Sequence, residues 1–432
     1  MSDSERKLSI LIIPAFFPFP PTDGGKICTY SFIDNLRFKH NIHLFIRLYE
    51  PGQAEILETM RDEWHNVTLH SVQDFTSPPE INFKVKSLRA AKTAVKKILR
   101  YPTHFPENHT FANQADSIDR PISPSYSLTL INALRKVLDA TAFDIIQTEY
   151  TPLLNLINVF PKDAKTVFLE MESQHSLIKD YRNLEDADVE YVDYLSENAR
   201  TQELAYMEKY DAIFTLNRSD EETLKKHFPD KKIYTTAFPV LDRDVAQEFP
   251  GDFAVNKIVF LGGEEHAPNK DALFWFLKEI LPLLELKENV KVYVTSRWFP
   301  ETVKIISAIS DRVVFTGFVE DIKELLENSV SVVPIRLGGG GLRTKTIYAM
   351  ASNSAVVTTS LAAVGIEGKD ENAFLIADTA QEFAEAVNAV LKDEKLCETL
   401  VRNGKNVIEK HYRQKVLSER RNGFYHEIVG GE

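Results

Sequence analysis

The residues with the clearest chemical potential run from Pro334 to Lys345, reading Pro-Ile-Arg-Leu-Gly-Gly-Gly-Gly-Leu-Arg-Thr-Lys. A strand pattern ends at Pro334, four glycines follow (Gly338, Gly339, Gly340 and Gly341), and a helical pattern opens at Thr344 after Leu342 and Arg343. Glycines let backbone N–H groups come close to an anion. A helix N-terminus adds partial positive charge, and Arg343 and Lys345 place two full charges beside it. Strand, glycines, cations and helix in this order form a phosphate-binding design without a Walker lysine motif. A flexible glycine loop with two surface cations is the plainer reading of the same residues.

Three weaker signals accompany it. Phe260-Leu261-Gly262-Gly263 is a strand entering a Gly-Gly turn, followed by Pro268-Asn269-Lys270 and an aromatic-rich helix. Phe315-Thr316-Gly317-Phe318-Val319 is a strand leading into a turn whose backbone groups could meet a nucleobase. Near the N-terminus, Pro20-Pro21-Thr22-Asp23-Gly24-Gly25-Lys26 joins a strand to a helix. Each alone is common in α/β proteins.

The elements that must position these residues alternate along the whole chain. Strand patterns at 8–13, 42–46, 67–69, 143–147, 165–169, 212–216 and 232–235 are mostly separated by helical patterns, the first at 26–38. Periodicity breaks near 241–256, then resumes with strands at 257–261, 290–295, 313–316, 329–334 and 355–359 and helices at 271–284, 344–351, 380–392 and 394–410. This is α/β architecture in two tandem parallel-sheet domains, with ligands expected in the cleft at the strands' carboxyl ends. A chain of 432 residues and 44% hydrophobic composition suits two cores. The net charge of −12 argues against nucleic-acid binding. Cys28 and Cys397, far apart, offer neither a disulfide framework nor a CxxC metal pattern and point to a reducing compartment. The polar N-terminus and proline-broken run at 8–20 do not read as a signal peptide. No run approaches the roughly 18 apolar residues of a membrane span. A cytoplasmic protein is expected. Phe83 to Tyr101 carries seven cations and no acidic residue, with Leu88, Val95, Ile98 and Leu99 at helical spacing. That pattern suits either contact with the anionic inner membrane face or an ordinary solvated helix.

Taken together, the pieces of the second half resemble the retaining GT-B glycosyltransferases of the group 1 type, which include enzymes of exopolysaccharide and lipid-glycan synthesis. The matching residues are Pro268 to Leu273 before Trp275-Phe276, Ile280-Leu281-Pro282, Val314 to Gly317, Gly341 to Lys345 before Ala349-Met350, Ala355 to Thr359, and Gly365 to Gly368. The likeness is close over 257–412 and loose before it. It implies two Rossmann-like domains facing each other across a cleft: an acceptor-side domain at 1–245, a nucleotide-sugar-binding domain at 246–411, and a final helix at 412–432 crossing back. It also implies transfer of a sugar, with retention, from a nucleoside-diphosphate sugar to a hydroxyl on a glycan, lipid-linked or protein-linked acceptor. No cofactor and no metal are expected, because such enzymes neutralise the leaving diphosphate with cations and a helix N-terminus.

The resemblance assigns candidate residues. Arg343 and Lys345, with the backbone of Gly339 to Leu342, would stabilise the leaving group. Gly262, Gly263, Gly317 and Phe318 would line the donor site, with Gly24 and Gly25 facing the diphosphate from the first domain. Glu170, Glu172 and His175, after the strand at 165–169, would bind acceptor hydroxyls or take a proton. Acidic residues there could equally cap the next helix. One departure stands out: two glutamates eight positions apart in many members are Gly340 and Tyr348 here. A tyrosine lacks the bidentate acceptor geometry of a carboxylate, so ribose recognition is expected to differ, or Tyr348 only packs. The rival readings are a GT-B sugar-nucleotide epimerase and a catalytically silent relative that binds a partner.

Overall fold

The computed structural model describes residues 6–21, 24–50, 52–74, 122–183, 187–249, 252–319, 321–338 and 342–430. Gly339, Gly340, Gly341 and the basic segment 83–101 lie outside these residues. The first half comprises β1 (Ser9–Ile13), α1 (Gly24–Leu36), β2 (Asn41–Leu48), α2 (Gln53–Glu63), β3 (Thr68–Gln73), α3 (Leu128–Ala140), β4 (Ile145–Glu149), a 3-10 helix (Thr151–Val159), β5 (Lys165–Leu169), α4 (Gln174–Asp180), α5 (Val189–Met207), β6 (Ala212–Thr215), α6 (Arg218–His227) and β7 (Lys232–Thr235). The second comprises β8 (Lys257–Phe260), α7 (Ala267–Trp275), β9 (Lys291–Thr295), α8 (Pro300–Ile309), β10 (Val313–Gly317), α9 (Ile322–Leu326), β11 (Ser329–Val333), α10 (Thr344–Ala351), β12 (Ala355–Thr358), β13 (Leu375–Ile376), α11 (Ala380–Lys392), α12 (Glu394–His411) and α13 (Gln414–Gly430).

The strands form two wholly parallel sheets. One is seven-stranded in the order β3-β2-β1-β4-β5-β6-β7, the other six-stranded in the order β10-β9-β8-β11-β12-β13. Helices cover both faces, so central strands such as β4, β6, β11 and β12 are buried at every position. Side chains start several helices: Ser127 caps α3, Asn217 caps α6, and Thr379 with Glu382 forms a capping box on α11. The helical pattern at 271–284 is broken in the structure. α7 ends at Trp275, a π turn covers Phe276–Ile280, and a 3-10 turn covers Leu281–Leu283. Pro282 cannot donate an i→i−4 bond, so the ladder must widen and then tighten around it.

The last helix ties the halves together. Val240 N–H donates to the Tyr412 carbonyl at 2.8 Å, pairing the two segments that cross between the domains. α13 then packs on α1 of the first domain. Its Arg421 is fully buried, with the guanidinium 3.2 Å from the Phe32 ring centroid and Nη2 donating to Thr236 Oγ1 at 2.8 Å. Tyr425 donates to Gln147 Oε1 at 2.6 Å, and Gln147 Nε2 donates to Glu149 Oε1 at 2.8 Å. One apolar core therefore runs from β1 through the crossing segments to β8 and α13. Among the described residues, no helix is long and apolar enough to cross a membrane.

Replacing Tyr425 by Phe leaves the ring and strands the buried Gln147 oxygen. Urea denaturation should show a loss of about 1–3 kcal/mol, the cost of an unsatisfied buried acceptor. An unchanged midpoint and slope would show that the α13 bond to β4 adds nothing.

Candidate active site

Both sheets reverse their winding at one point, between β1 and β4 and between β8 and β11. Loops at the carboxyl ends of strands flanking such points diverge and leave a crevice. Here the loop after β1 brings Gly24 and Gly25, the end of β4 brings Tyr150, and the loop after β5 brings Glu170, Glu172 and His175. The loops after β8 and β11 bring Gly262, Gly263, Gly338 and Arg343.

Arg343 stands at the N-cap of α10, and its Nη2 donates to the Gly338 carbonyl. Gly338 has φ +100°, and a Cβ on it would come within 3.1 Å of that Nη2 and 3.2 Å of Pro268 Cγ, so the turn requires glycine. Burial lowers the Arg343 guanidinium, while Glu172, Asp180 and Asp220 act against that from the first domain. Burial, followed by the charge of Arg343, pulls Lys345 down to about 8. Among the described residues, no carboxylate stands within ion-pair distance of Lys345. Burial, with the charges of Lys345 and Arg343, holds His266 near 4, so this histidine is neutral at the start of α7. Gly262, at φ +143°, leaves room for the Asn269 amide, which would lie 2.7 Å from a Cβ there and donates to the Gly263 carbonyl at 3.0 Å. Arg336 pairs with Asp271 at 3.0 Å and lies over Trp275, anchoring the segment after β11.

The facing wall is acidic. Glu172 Oε2 accepts from Tyr150 Oη at 2.9 Å. Burial raises its carboxyl, opposed by that bond and by Arg343. Asp180, the last residue of α4, is raised by burial to about 6, with Arg343 and the Gly338 backbone acting against that from the second domain. Asp220 accepts from Asn217 Nδ2 at 2.6 Å and is also raised by burial. Glu170 is 5% exposed with Oε2 unpartnered, and burial plus Asp220 and Glu203 raise it well above the carboxylate range. It therefore favours its neutral form and sits beneath the wall. His175 is held by the buried Glu203 of α5, which lies 2.7 Å from its Nδ1 and accepts from the Gln174 backbone at 2.8 Å. Of the three residues, Glu172 thus reaches the field of Arg343, Glu170 is internal, and His175 is tied to α5.

The remaining candidates are placed as follows. A Cβ on Gly24 would lie 3.8 Å from Thr344, between the two cations, so the first-domain glycine turn meets the start of α10. Gly25 is set by packing, since a Cβ there would fall 2.6 Å from the Phe16 ring. Tyr348 lies edge-on to Phe238 at 6.0 Å, and Leu342 packs on the core. Gly317 has φ +69° with open space around it, its carbonyl accepts from Ser296 N at 2.7 Å, and Phe318 is 76% exposed. A Cβ on Gly263 would come within 3.0 Å of the Arg297 carbonyl. The sequence gives no signal for Asp180, Asp220, His266, Glu203 and Tyr150: the first three and Tyr150 sit at or near element ends and Glu203 lies inside α5, where nothing in their neighbours marks them. Two other aspartates have structural partners: Asp188 is the N-cap of α5, and Asp242 pairs with Arg413 at 3.1 Å. Among the described residues, no group of three or more His, Cys, Asp or Glu could hold a metal. A cavity of about 470 Å³ lies elsewhere, lined by Arg243, Lys323, Glu327 and Asn353 among others, and shares no residue with this site.

The raised carboxyl of Asp180 has a thermodynamic consequence. Folding disfavours its charged form, so stability falls as pH rises from about 3.8 through about 6. Asp180→Asn should therefore raise Tm at pH 7.5 and leave it unchanged at pH 4. An equal shift at both values would trace the effect to packing instead.

Residues 255–393 match the model of the family described as Glycosyl transferases group 1. No curated protein sequence matches the chain. Among solved structures, sucrose-phosphate synthase from Thermosynechococcus elongatus is similar at TM-score 0.66 and 14% identity, covering 99% of this chain and 100% of that one. A mutant of S. aureus TarM, solved with Fondaparinux, alpha-GlcNAc-glycerol and UDP, is similar at TM-score 0.64 and 11% identity, covering 97% and 100%. Anabaena HepE, solved with UDP and glucose, is similar at TM-score 0.60 and 11% identity, covering 96% and 99%. The chain thus has the GT-B glycosyltransferase fold, and its residues 255–393 carry the match to Glycosyl transferases group 1.

Proposed function

We propose that this protein is a glycosyltransferase that moves a sugar from a nucleoside-diphosphate sugar to a hydroxyl acceptor, with retention and without a metal, in glycan or polysaccharide synthesis. The observation that carries the reading is the cationic pair Arg343 and Lys345 at the N-terminus of α10, beside the winding reversal and opposite the first domain. A leaving diphosphate needs positive charge placed in advance, and charge in a partly desolvated cleft acts more strongly than in water. The start of α7, with neutral His266, supplies further backbone donors nearby. UDP in the complexes of TarM and HepE supports a uridine nucleotide as the first donor class to test. Gly317 and the open space around it suit the base. Tyr348, turned onto Phe238, leaves the ribose to other groups. On this reading the acceptor enters from the side of Glu172 and His175, and the protein works in the cytoplasm.

Calorimetric titration with UDP-sugars tests the assignment. Each charge-assisted contact contributes about 1.5–3 kcal/mol, so Arg343→Ala and Lys345→Ala should each weaken binding by about tenfold or more. Binding should persist in EDTA. A dissociation constant unchanged in both variants would remove the two cations from the donor site, and a metal requirement would refute the metal-free mechanism. Release of UDP and free sugar without an acceptor would set a transferase apart from both an epimerase and a silent binding protein.

The basic segment 83–101 is proposed to bring the first domain to an anionic membrane and a lipid-linked acceptor. Its seven cations contribute about 1 kcal/mol each only where they face the leaflet, which gives reversible, salt-sensitive association. Co-sedimentation with anionic vesicles should fall when Lys92, Lys96, Lys97 and Arg100 are changed to glutamate. Equal sedimentation of the two proteins would leave the segment as a solvated face.

A further inference from the structure

We propose that Tyr150 is a positioning residue that holds Glu172 so that its second carboxylate oxygen, Oε1, faces the sugar of a donor bound against Arg343. This rests on the donor reading above and extends it to the first-domain wall.

The argument begins with the backbone. Tyr150 has φ 76° and ψ 143° directly after β4. That region is open to glycine and closed to bulky residues unless the surroundings enforce it. Ala237, Ser296, Asn328, Asn353 and Asn372 also have positive φ, but these are small or asparagine side chains, and a bulky tyrosine is the least tolerant of that region. The surroundings here do enforce it. Tyr150 N–H donates to the Leu169 carbonyl at 3.0 Å, and its own carbonyl accepts from Leu153 N at 3.1 Å. Its ring packs on Phe16 at 5.4 Å, and Phe16 fills the space that a Cβ on Gly25 would need. The strand end, the first-domain glycine turn and this tyrosine therefore lock one another.

The locked ring aims its hydroxyl. Oη donates to Glu172 Oε2 at 2.9 Å and accepts from Gln174 Nε2 at 3.3 Å. Both hydrogen-bonding directions of the phenol are used, which fixes the carboxylate's rotation. Oε1 is left without a hydrogen bond among the described residues. The charged and titratable groups acting on Glu172 are Tyr150 from the end of β4, Glu203 from α5 and Arg343 from the start of α10. The phenol and the guanidinium favour the ionised carboxylate, while burial and Glu203 favour the protonated one. Removing only the phenolic hydroxyl should therefore make Glu172 hold its proton to higher pH and free its rotation.

The variant is Tyr150→Phe, which keeps the ring that supports Phe16. The full chain is labelled with carboxyl-¹³C glutamate, and the Glu172 resonance is identified by its loss in Glu172→Gln. Its titration midpoint should move up by roughly one pH unit, a tenfold change in proton affinity. In hydrolysis of UDP-glucose, kcat should fall about tenfold with KM changed less than about twofold, the signature of an interaction made in the transition state. Adding Tyr150→Phe to Glu172→Gln should cost nothing more. An unmoved Glu172 midpoint, or a lowered Tm with an unmoved midpoint, overturns the proposal and leaves Tyr150 as packing. So does a shifted midpoint with unchanged hydrolysis, because Glu172 would then not face the sugar. Failure of the wild-type chain to bind any UDP-sugar is a separate result: it refutes the donor reading, while the titration still reports whether Tyr150 controls Glu172.

Discussion

Two cations held in a desolvated cleft, with carboxylates opposite them on the other domain, set the terms for the rest of this protein. Arg343 and Lys345 stand at the start of one helix, and both are disfavoured by burial. Water that would screen them in the open is partly withheld, and the field of Arg343 reaches Glu172, Asp180 and Asp220 across the cleft. The carboxylates are in turn raised by their own burial. Neither wall is at ease without the other or without a ligand. That is the behaviour expected of a binding site, where perturbed groups gather because burial and charge must be arranged ahead of the chemistry.

Keeping the two walls opposed requires the domains to be held in register. The two crossing segments pair through Val240 and Tyr412, and α13 carries the second-domain chain back onto α1. Its contribution is polar as much as apolar: Arg421 is entirely buried on Phe32 and Thr236, and Tyr425 joins Gln147 and Glu149 on β4. A buried polar network tolerates few alternative packings, since any shift strands a donor or acceptor. β4 ends at Glu149, directly before Tyr150, so the helix that crosses back also braces the strand that leads into the acidic wall.

Close approach explains the glycines better than flexibility does. Gly338 yields its side-chain space to Arg343 and Pro268, Gly262 to Asn269, and Gly25 to Phe16. Gly365, at φ +73°, lies against Asn217, the cap of α6, so one contact between the domains also depends on a missing side chain. In each case the backbone of one element must come within van der Waals reach of a group that the site uses or that supports it.

The alternation of strands and helices was readable from periodicity because parallel sheets covered on both faces demand apolar runs separated by amphipathic ones. The strand–glycine–cation–helix order at 334–345 could likewise be read locally, since an anion site at a helix start is built from neighbours in the chain. The π turn before Pro282 escaped that reading, because hydrophobic spacing of 3.6 and slightly wider windings differ too little over one turn. The acidic wall, Glu172 apart, escaped it for a deeper reason. Tyr150, Glu172, Asp180 and Asp220 come from four separate elements, and nothing about an aspartate at a helix end distinguishes a capping group from one that faces an arginine some 160 residues away. Burial and opposition of charge are properties of the assembled cleft. Sequence alone determined the two-domain α/β plan and the cations; only the tertiary structure decided which carboxylates meet them, because charge interactions depend on distance and dielectric, and folding sets both.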